Sequence, residues 1–304
     1  MSTLFSHFFQ KINQISPLEA NFTEVLDAIA LKPKTLYFYG KMPENVVKNG
    51  KSVRQKTVAI VGSRHNTRYG EEVAYKLAYE LAKKGIIIVS GLAYGIDSVG
   101  HRAALDAGGL TVAVLGTQID YIYPRNHLSL AKDIIEKGGA IISEYAPGAK
   151  IYPKVSFLER NRLISGLSDA VIVVEAAARS GTLNTAAHAL NQGKEVFAVP
   201  GNITSPYSVG CNKLIKQGAL PCTETDDVLS VIAPELLKKP KKSTIRGDTE
   251  EENIILAALQ SGLRDGEKIM QTAGISATTF NETITLLEIK GLIRPLGANH
   301  WSLA

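Results

Sequence analysis

The stretch VAIVGSRHNTRYGEEVAYKLAYELAKKGIIIVS, residues 58–90, decides the fold. Its first four residues are apolar and mostly β-branched, the pattern of a strand buried on both faces. GSRHNTRYG (62–70) is dense in turn formers and reads as a loop. EEVAYKLAYELAKKG (71–85) places alanine and leucine on one face at helical spacing and ends on a C-cap glycine. IIIVS (86–90) is a second buried strand. Strand, helix and strand in this order form the crossover unit of a parallel sheet.

The alternation continues through TVAVL (111–115), AIIS (140–143), AVIVVE (170–175) and EVFAV (195–199), with a further helix at about 208–217. The expected class is α/β, a parallel sheet covered on both faces. Residues 1–34 read as a short helical segment of two stretches, and TLYFYG (35–40) as an edge strand opening a domain that runs to 236. Residues 237–249, within LKKPKKSTIRGDTEEE, read as a basic linker. Residues 250–304 then show three short helices, with Ser276 as N-cap of the third, and IRPLGANHWSLA as a hairpin with a glycine turn. That order is the winged-helix pattern.

The totals narrow the function classes. The chain has 304 residues, 45% hydrophobic and 21% charged, which excludes a largely disordered chain. No apolar run is long enough for a transmembrane helix. MSTLFSHFFQKINQ lacks the parts of a signal peptide, so a cytoplasmic address is expected. Cys211 and Cys222 are expected to be free thiols. Net charge is +5, but residues 250–304 hold seven acidic and four basic residues, a net −3, so residues 1–249 carry +8. A polyanion would bind the front part.

In an open parallel sheet, ligands sit beyond the carboxyl ends of the strands. The loops there are GSRHNTRYG (62–70), SGLAYGID (90–97), GTQIDYIYPRNH (116–127), AAARSGT (176–182) and PGN (200–202). All five set glycine beside Ser, Thr or Asn, which suits close approach of phosphate to backbone amides. Arg64, Arg125 and Arg179 add charge to that rim. KVSFLERNRLISGLSD (154–169) reads as a helix in which Phe157 and Arg160 share a face. Cations beside an aromatic ring are the hardware of single-strand nucleic-acid binding. The competing reading makes Phe157 a core residue and pairs Glu159 with an arginine.

GxGxxG, GxxxxGK[ST], HExxH and GxSxG are all missing, so no nucleotide cofactor, metal or catalytic constellation is expected.

GSR (62–64), SGLAYGID (90–97), ERNRLISGLSD (159–169), EAAARSGT (175–182), FAVPGN (197–202) and GCNKLIKQGA (210–219), in this order, closely resemble the DNA-processing protein DprA (Smf) family. The resemblance covers roughly residues 30–235. It implies an extended Rossmann-like fold without a cofactor and a single-stranded DNA-binding protein. Such a protein protects incoming DNA, loads RecA recombinase in natural transformation and acts as a homodimer through the Rossmann domain. Carried over by motif, the DNA pocket would use Gly62, Ser63 and Arg64, then Lys154, Phe157, Arg160 and Arg162. With the rim loops, the candidate DNA-binding set adds Ser90, Gly91, Asn161, Arg179, Ser180, Gly181 and Thr182. Many family members begin with a helix-hairpin-helix or SAM-like domain, whereas about 30 residues precede TLYFYG here.

The third helix of the winged-helix region, ATTFNETITLLEIK, offers few groups to base edges, so a protein contact is expected there rather than duplex reading. Two rival functions are a lysine-decarboxylase-like (LOG-type) nucleotide phosphoribohydrolase, for which Glu175 is the nearest carboxylate, and a ligand-sensing winged-helix regulator. ARSGTLNTA (178–186) lacks the phosphoribohydrolase glutamate. The acidic third helix argues against the regulator.

Overall fold

The computed structural model describes residues 11–48, 50–237 and 246–303. The chain divides into two compact units, Met1–Leu237 and Lys238–Ala304.

In chain order, the first unit contains strands β1 (Asn13–Ile15), β2 (Leu36–Gly40), β3 (Val46–Lys48), β4 (Lys51–Val53) and β5 (Thr57–Val61). Helix α1 (Arg68–Lys83), β6 (Ile87–Ser90), α2 (Ile96–Asp106), β7 (Thr111–Gln118), α3 (Leu128–Glu136) and β8 (Ala140–Tyr145) follow. Then come α4 (Pro153–Leu167), β9 (Ala170–Val173), α5 (Thr182–Asn191), β10 (Glu195–Ala198), α6 (Val209–Lys216), β11 (Leu220–Pro221) and α7 (Thr225–Ile232). Nine strands form one sheet in the order β1-β2-β8-β7-β6-β5-β9-β10-β11, with β3 and β4 a separate hairpin.

The run from β8 to β11 is parallel, and β2 joins it antiparallel to β8. TLYFYG is therefore not an edge strand. β1 pairs on its outer side and is the true edge. NQI is too short and polar to signal that strand. The two helical stretches expected in residues 1–34 are 3-10 turns, Pro17–Glu19 and Glu24–Ala28, and residues 1–10 lie outside the described residues.

Strand alternation sorts the core into two layers. Ala59, Val61, Val171 and Val173 pack with Leu163, Ile164, Ala186 and Leu214 from α4, α5 and α6. Val58, Ile60, Ala170 and Ile172 pack on the other face with Leu77, Ile96 and Leu229 from α1, α2 and α7. Every residue of β5 is buried, which is why VAIV shows no polar alternation. Each such side chain contributes roughly 1.5–3 kcal/mol by leaving water. Cys211 and Cys222 are free and buried. Burial pushes both thiols up to about 12.

The second unit contains α8 (Glu250–Gln260), α9 (Gly266–Ala273), α10 (Ala277–Ile289) and the hairpin β12 (Ile293–Gly297)–β13 (His300–Leu303), the winged-helix order. Ser276 caps α10 by accepting the Thr279 amide at 3.1 Å. The hairpin turn runs through Gly297, Ala298 and Asn299, all at positive φ, so glycine carries only part of it. Of the expected linker 237–249, residues 238–245 lie outside the described residues. Gly247 is tied to α8, its amide donating to Asn253 Oδ1.

Candidate nucleic-acid interface

The carboxyl ends of β5, β6 and β9 open onto a cleft of about 610 Å³. Its floor begins with the loop after β5. Ser63 is clamped there by its backbone: its amide donates to Glu175 O at 2.9 Å, and its carbonyl accepts the Ile96 amide at 3.2 Å. Gly95, at φ +76, makes this clamp possible, since a Cβ there would lie 2.2 Å from Ser63 O. Thr67 caps α1, and Glu175 accepts both the Thr67 amide at 2.9 Å and its hydroxyl at 2.5 Å. Both Glu175 oxygens thus take part in holding the loop. Thr182 ties the next loop in, its hydroxyl donating to Gly62 O at 3.0 Å. The N-terminal end of α5, from Ser180 to Thr185, forms the opposite wall and points its positive dipole end at the cleft.

Helix α4 supplies the third wall with Lys154, Phe157, Arg160 and Asn161. Phe157 is half-buried, with the exposed Arg64 guanidinium 5.4 Å from its ring centroid and Arg160 5.9 Å from it. Arg160 is only 4% exposed. It donates to the carbonyls of Gly91 and Val114, with Asp97 close by. Burial pulls its guanidinium down to about 10, against the Asp97 charge, so it stays protonated at neutral pH. Burial pushes the Asp97 carboxyl up, against the Arg160 charge and the amides of Gly91 and Ala93. Gly91 lies between the two groups: a Cβ there would stand 2.6 Å from the guanidinium and 2.7 Å from the carboxylate. Asn161 donates to Asn184 Oδ1 at 3.2 Å, bracing α4 against α5.

The candidate residues separate on this geometry. Gly62, Ser63, Arg64, Lys154, Phe157, Arg160, Asn161, Ser180, Gly181 and Thr182 line the cleft. Arg162 does not. Two residues beyond Arg160 on a helix is about 200° around the axis, so it points away. It makes two 2.8 Å bonds to the Glu144 carboxylate and donates to Leu31 O at 2.7 Å. Ser90 is fully buried beneath the cleft, bonded to Ile60 O. Gly91 lies behind Arg160 and lines a small neighbouring hollow with Arg64 and Tyr94. Arg179 is exposed on the loop before α5 but is not among the lining residues. Among the described residues, Glu159 makes no ion pair with an arginine; its carboxylate accepts the Tyr145 hydroxyl at 2.9 Å.

Asp97 and the tyrosines beside Phe157 are site residues that the sequence pattern did not single out. The one acid in SGLAYGID, the stretch at the end of a strand, was the available signal for Asp97.

In the second unit, Lys290 just after α10 is held by Asp248 at 2.7 Å and Glu252 at 2.6 Å. The Trp301 indole donates to Glu288.

A mixed, largely parallel sheet covered by helices on both faces, with cations around one aromatic ring at its strand ends, defines a Rossmann-like protein. The profile of the family described as DNA recombination-mediator protein A matches residues 13–233, and the chain belongs to that family. It is 42% identical over 219 residues to the DNA processing protein DprA of Bacillus subtilis, covering 72% of this chain and 71% of that protein. It is 49% identical over 176 residues to Protein Smf of Escherichia coli K12, covering 57% of this chain. The chain spans 46% of that Smf protein's length and 62% of the Mycobacterium tuberculosis DprA. Among solved structures, DprA of Streptococcus pneumoniae superposes with a TM-score of 0.62 at 37% identity, covering 75% of this chain and 76% of that one. DNA processing protein A of Helicobacter pylori, described for its single-stranded DNA binding mode, gives 0.61 at 32% identity, covering 73% and 95%. Among the described residues, no helix is long and apolar enough to cross a membrane.

Proposed function

We propose that the cleft binds single-stranded DNA and that the protein acts in DNA recombination, including the processing of DNA taken up in natural transformation. One observation carries this reading: Arg64, exposed, stands over the half-buried ring of Phe157 inside a cleft walled by Lys154 and the amino end of α5. Cation and helix end suit phosphates, and the ring suits a base. A ring recessed in a cleft is reached only by an unpaired base, because duplex bases are stacked inside the helix. The single-stranded DNA binding mode described for the H. pylori relative supports the same reading. Within this proposal, Arg64 and Lys154 contact phosphates, and Phe157 stacks. Arg160 acts as a positioning residue that fixes Phe157 and the Gly91 turn. The bound strand is handed to RecA recombinase, and the protein works as a homodimer through its first unit. The second unit makes a protein contact: its Lys290 is already neutralised by Asp248 and Glu252, leaving α10 poorly equipped for duplex DNA.

The test is fluorescence anisotropy with a mixed-sequence oligonucleotide and its duplex at near-physiological salt. The single strand should bind far more tightly, and Phe157→Ala should lose about ten-fold. Lys154→Ala should flatten log K against log[salt] by about 0.7. Equal affinity for the duplex, or a Phe157→Ala variant that binds as wild type, would sink the reading. Faster RecA filament assembly on the same strand tests the hand-over. A monomer in light scattering at micromolar concentration would count against the dimer.

A further inference from the structure

Phe157 does not close the cleft. It is a ridge shared with a second hollow of about 380 Å³, lined by Thr117, Gln118, Tyr121, Tyr123, Ile151 and Pro153. This hollow is formed by the loop after β7 and the segment entering α4. Its chemistry differs from that of the main cleft. Tyr121 and Tyr123 are 38% and 41% exposed, so each ring keeps a solvent-facing part. Tyr123 touches Phe157, with ring centroids 5.4 Å apart and planes tilted by 51°. The Arg125 guanidinium, itself exposed, lies 5.5 Å from the Tyr121 ring centroid. The loop is held at both ends. Thr117 Oγ1 donates to Tyr121 O at 2.6 Å, and Gln118 Nε2 donates to Ala149 O at 2.6 Å. Asp120 is engaged as well, accepting the Gly148 amide at 3.2 Å.

Exposed rings on a braced loop, with a cation over one of them and in contact with the ring that ends the main cleft, extend the same recognition chemistry. We propose that this tyrosine hollow is a second base-binding subsite, taking the next nucleotides of the single strand whose first base stacks on Phe157. The inference rests on the reading of the cleft given above. Tyr123 and Phe157 are in direct ring contact, so no base fits between them. The following bases stack on the outer faces of Tyr123 and Tyr121, and Arg125 meets the intervening phosphate.

The test uses oligothymidylates of increasing length, from those that fill only the Phe157 cleft to those that reach past it, with the full chain. The variants are Tyr121→Ala/Tyr123→Ala, Tyr121→Phe/Tyr123→Phe and Phe157→Ala. The double alanine variant should bind the shortest strands as wild type and the longer ones about ten-fold more weakly. The double phenylalanine variant should match wild type at every length. A 2-aminopurine placed beyond the first bound base should be quenched on binding to wild type and not to the double alanine variant. Unchanged affinity of the double alanine variant at all lengths, with Phe157→Ala still impaired, would overturn the subsite and leave the cleft reading standing. Equal loss on short and long strands, or no rescue by the phenylalanines, would show the tyrosines to be structural and would also overturn it. Failure of wild type to bind any single strand would remove both proposals together.

Discussion

Helix α4 carries two buried arginines two residues apart, and its two faces treat them differently. On the cleft face, Arg160 bonds backbone carbonyls of Gly91 and Val114 and lies against Phe157. On the opposite face, Arg162 makes paired bonds to the Glu144 carboxylate of β8 and reaches Leu31 O. One donates to two neutral backbone carbonyls at the wall of the cleft, with the Asp97 carboxyl close by. The other is neutralised and ties α4 to β8 and to the segment before β2. Both are nearly absent from the surface, whereas Arg64, from the loop after β5, and Lys154, from the first turn of α4, are exposed at the cleft. Proximity of charges in a sequence therefore says little about shared function when they lie on a helix. The turn of the helix assigns them.

The largest effect should come from Arg160→Ala. It leaves two buried carbonyls and Asp97 without their cation, a change that costs about 3–5 kcal/mol. It should lower the thermal midpoint and weaken strand binding together. If stability fell but affinity held in the remaining folded protein, Arg160 would serve the core alone and the contrast between the two faces would collapse. Arg162→Ala should come next, at about 2 kcal/mol, since Glu144 is less buried and water can replace part of the loss. Its affinity and salt slope for single-stranded DNA should match wild type, and a flatter slope would place Arg162 on the ligand after all. Arg64→Ala should do the reverse. Its melting curve should stay within about 0.5 kcal/mol of wild type. Its salt slope should fall by about 0.7.

A smaller, pH-dependent effect sharpens what distinguishes a buried cation that is kept from one that is refused. His101 is fully buried, with Nδ1 2.7 Å from Thr111 Oγ1 and no partner for Nε2 among the described residues. Thr111 gives its own proton to Ile88 O, so it accepts from Nδ1–H and fixes the neutral ring. Burial pulls His101 from 6.5 down to about 3. A lowered pKa in the folded state favours folding fully above pH 6.5, and this contribution is lost as pH falls from 6.5 toward 3. The melting midpoint should therefore drop between pH 7 and pH 4, and His101→Gln should narrow that drop. An identical drop in the variant would assign the acid sensitivity to carboxylates instead.

The sheet was legible because its signal is local. Six apolar runs and the alanine–leucine face of α1 mark strand and helix without reference to anything distant. The rim was partly legible for the same reason: glycine, serine and arginine just past a strand can only lie at its carboxyl end. Less legible was anything set by partners far away in the chain. NQI becomes a strand only because β2 offers it an edge. Ser90 has the composition of a binding loop, yet it lies at the end of β6 and is closed over by the sheet. Asp97 acquires its environment from Arg160 and Gly91, residues 63 and 6 positions away.

By itself the sequence determined the α/β class, the strand ends where a polyanion would be held, and the association of Phe157 with basic residues. All of these follow from periodicities of two and 3.6 residues and from the turn chemistry of single loops. Tertiary structure alone decided which arginine faces the ligand, which supports it and which locks helix to sheet. It also decided that the tyrosines after β7 continue the surface of Phe157. The reason is that burial and pairing are properties of packed neighbours. A guanidinium's role depends on whether carbonyls, a carboxylate or water surround it, and residues as far as 131 positions away along the chain supply those groups.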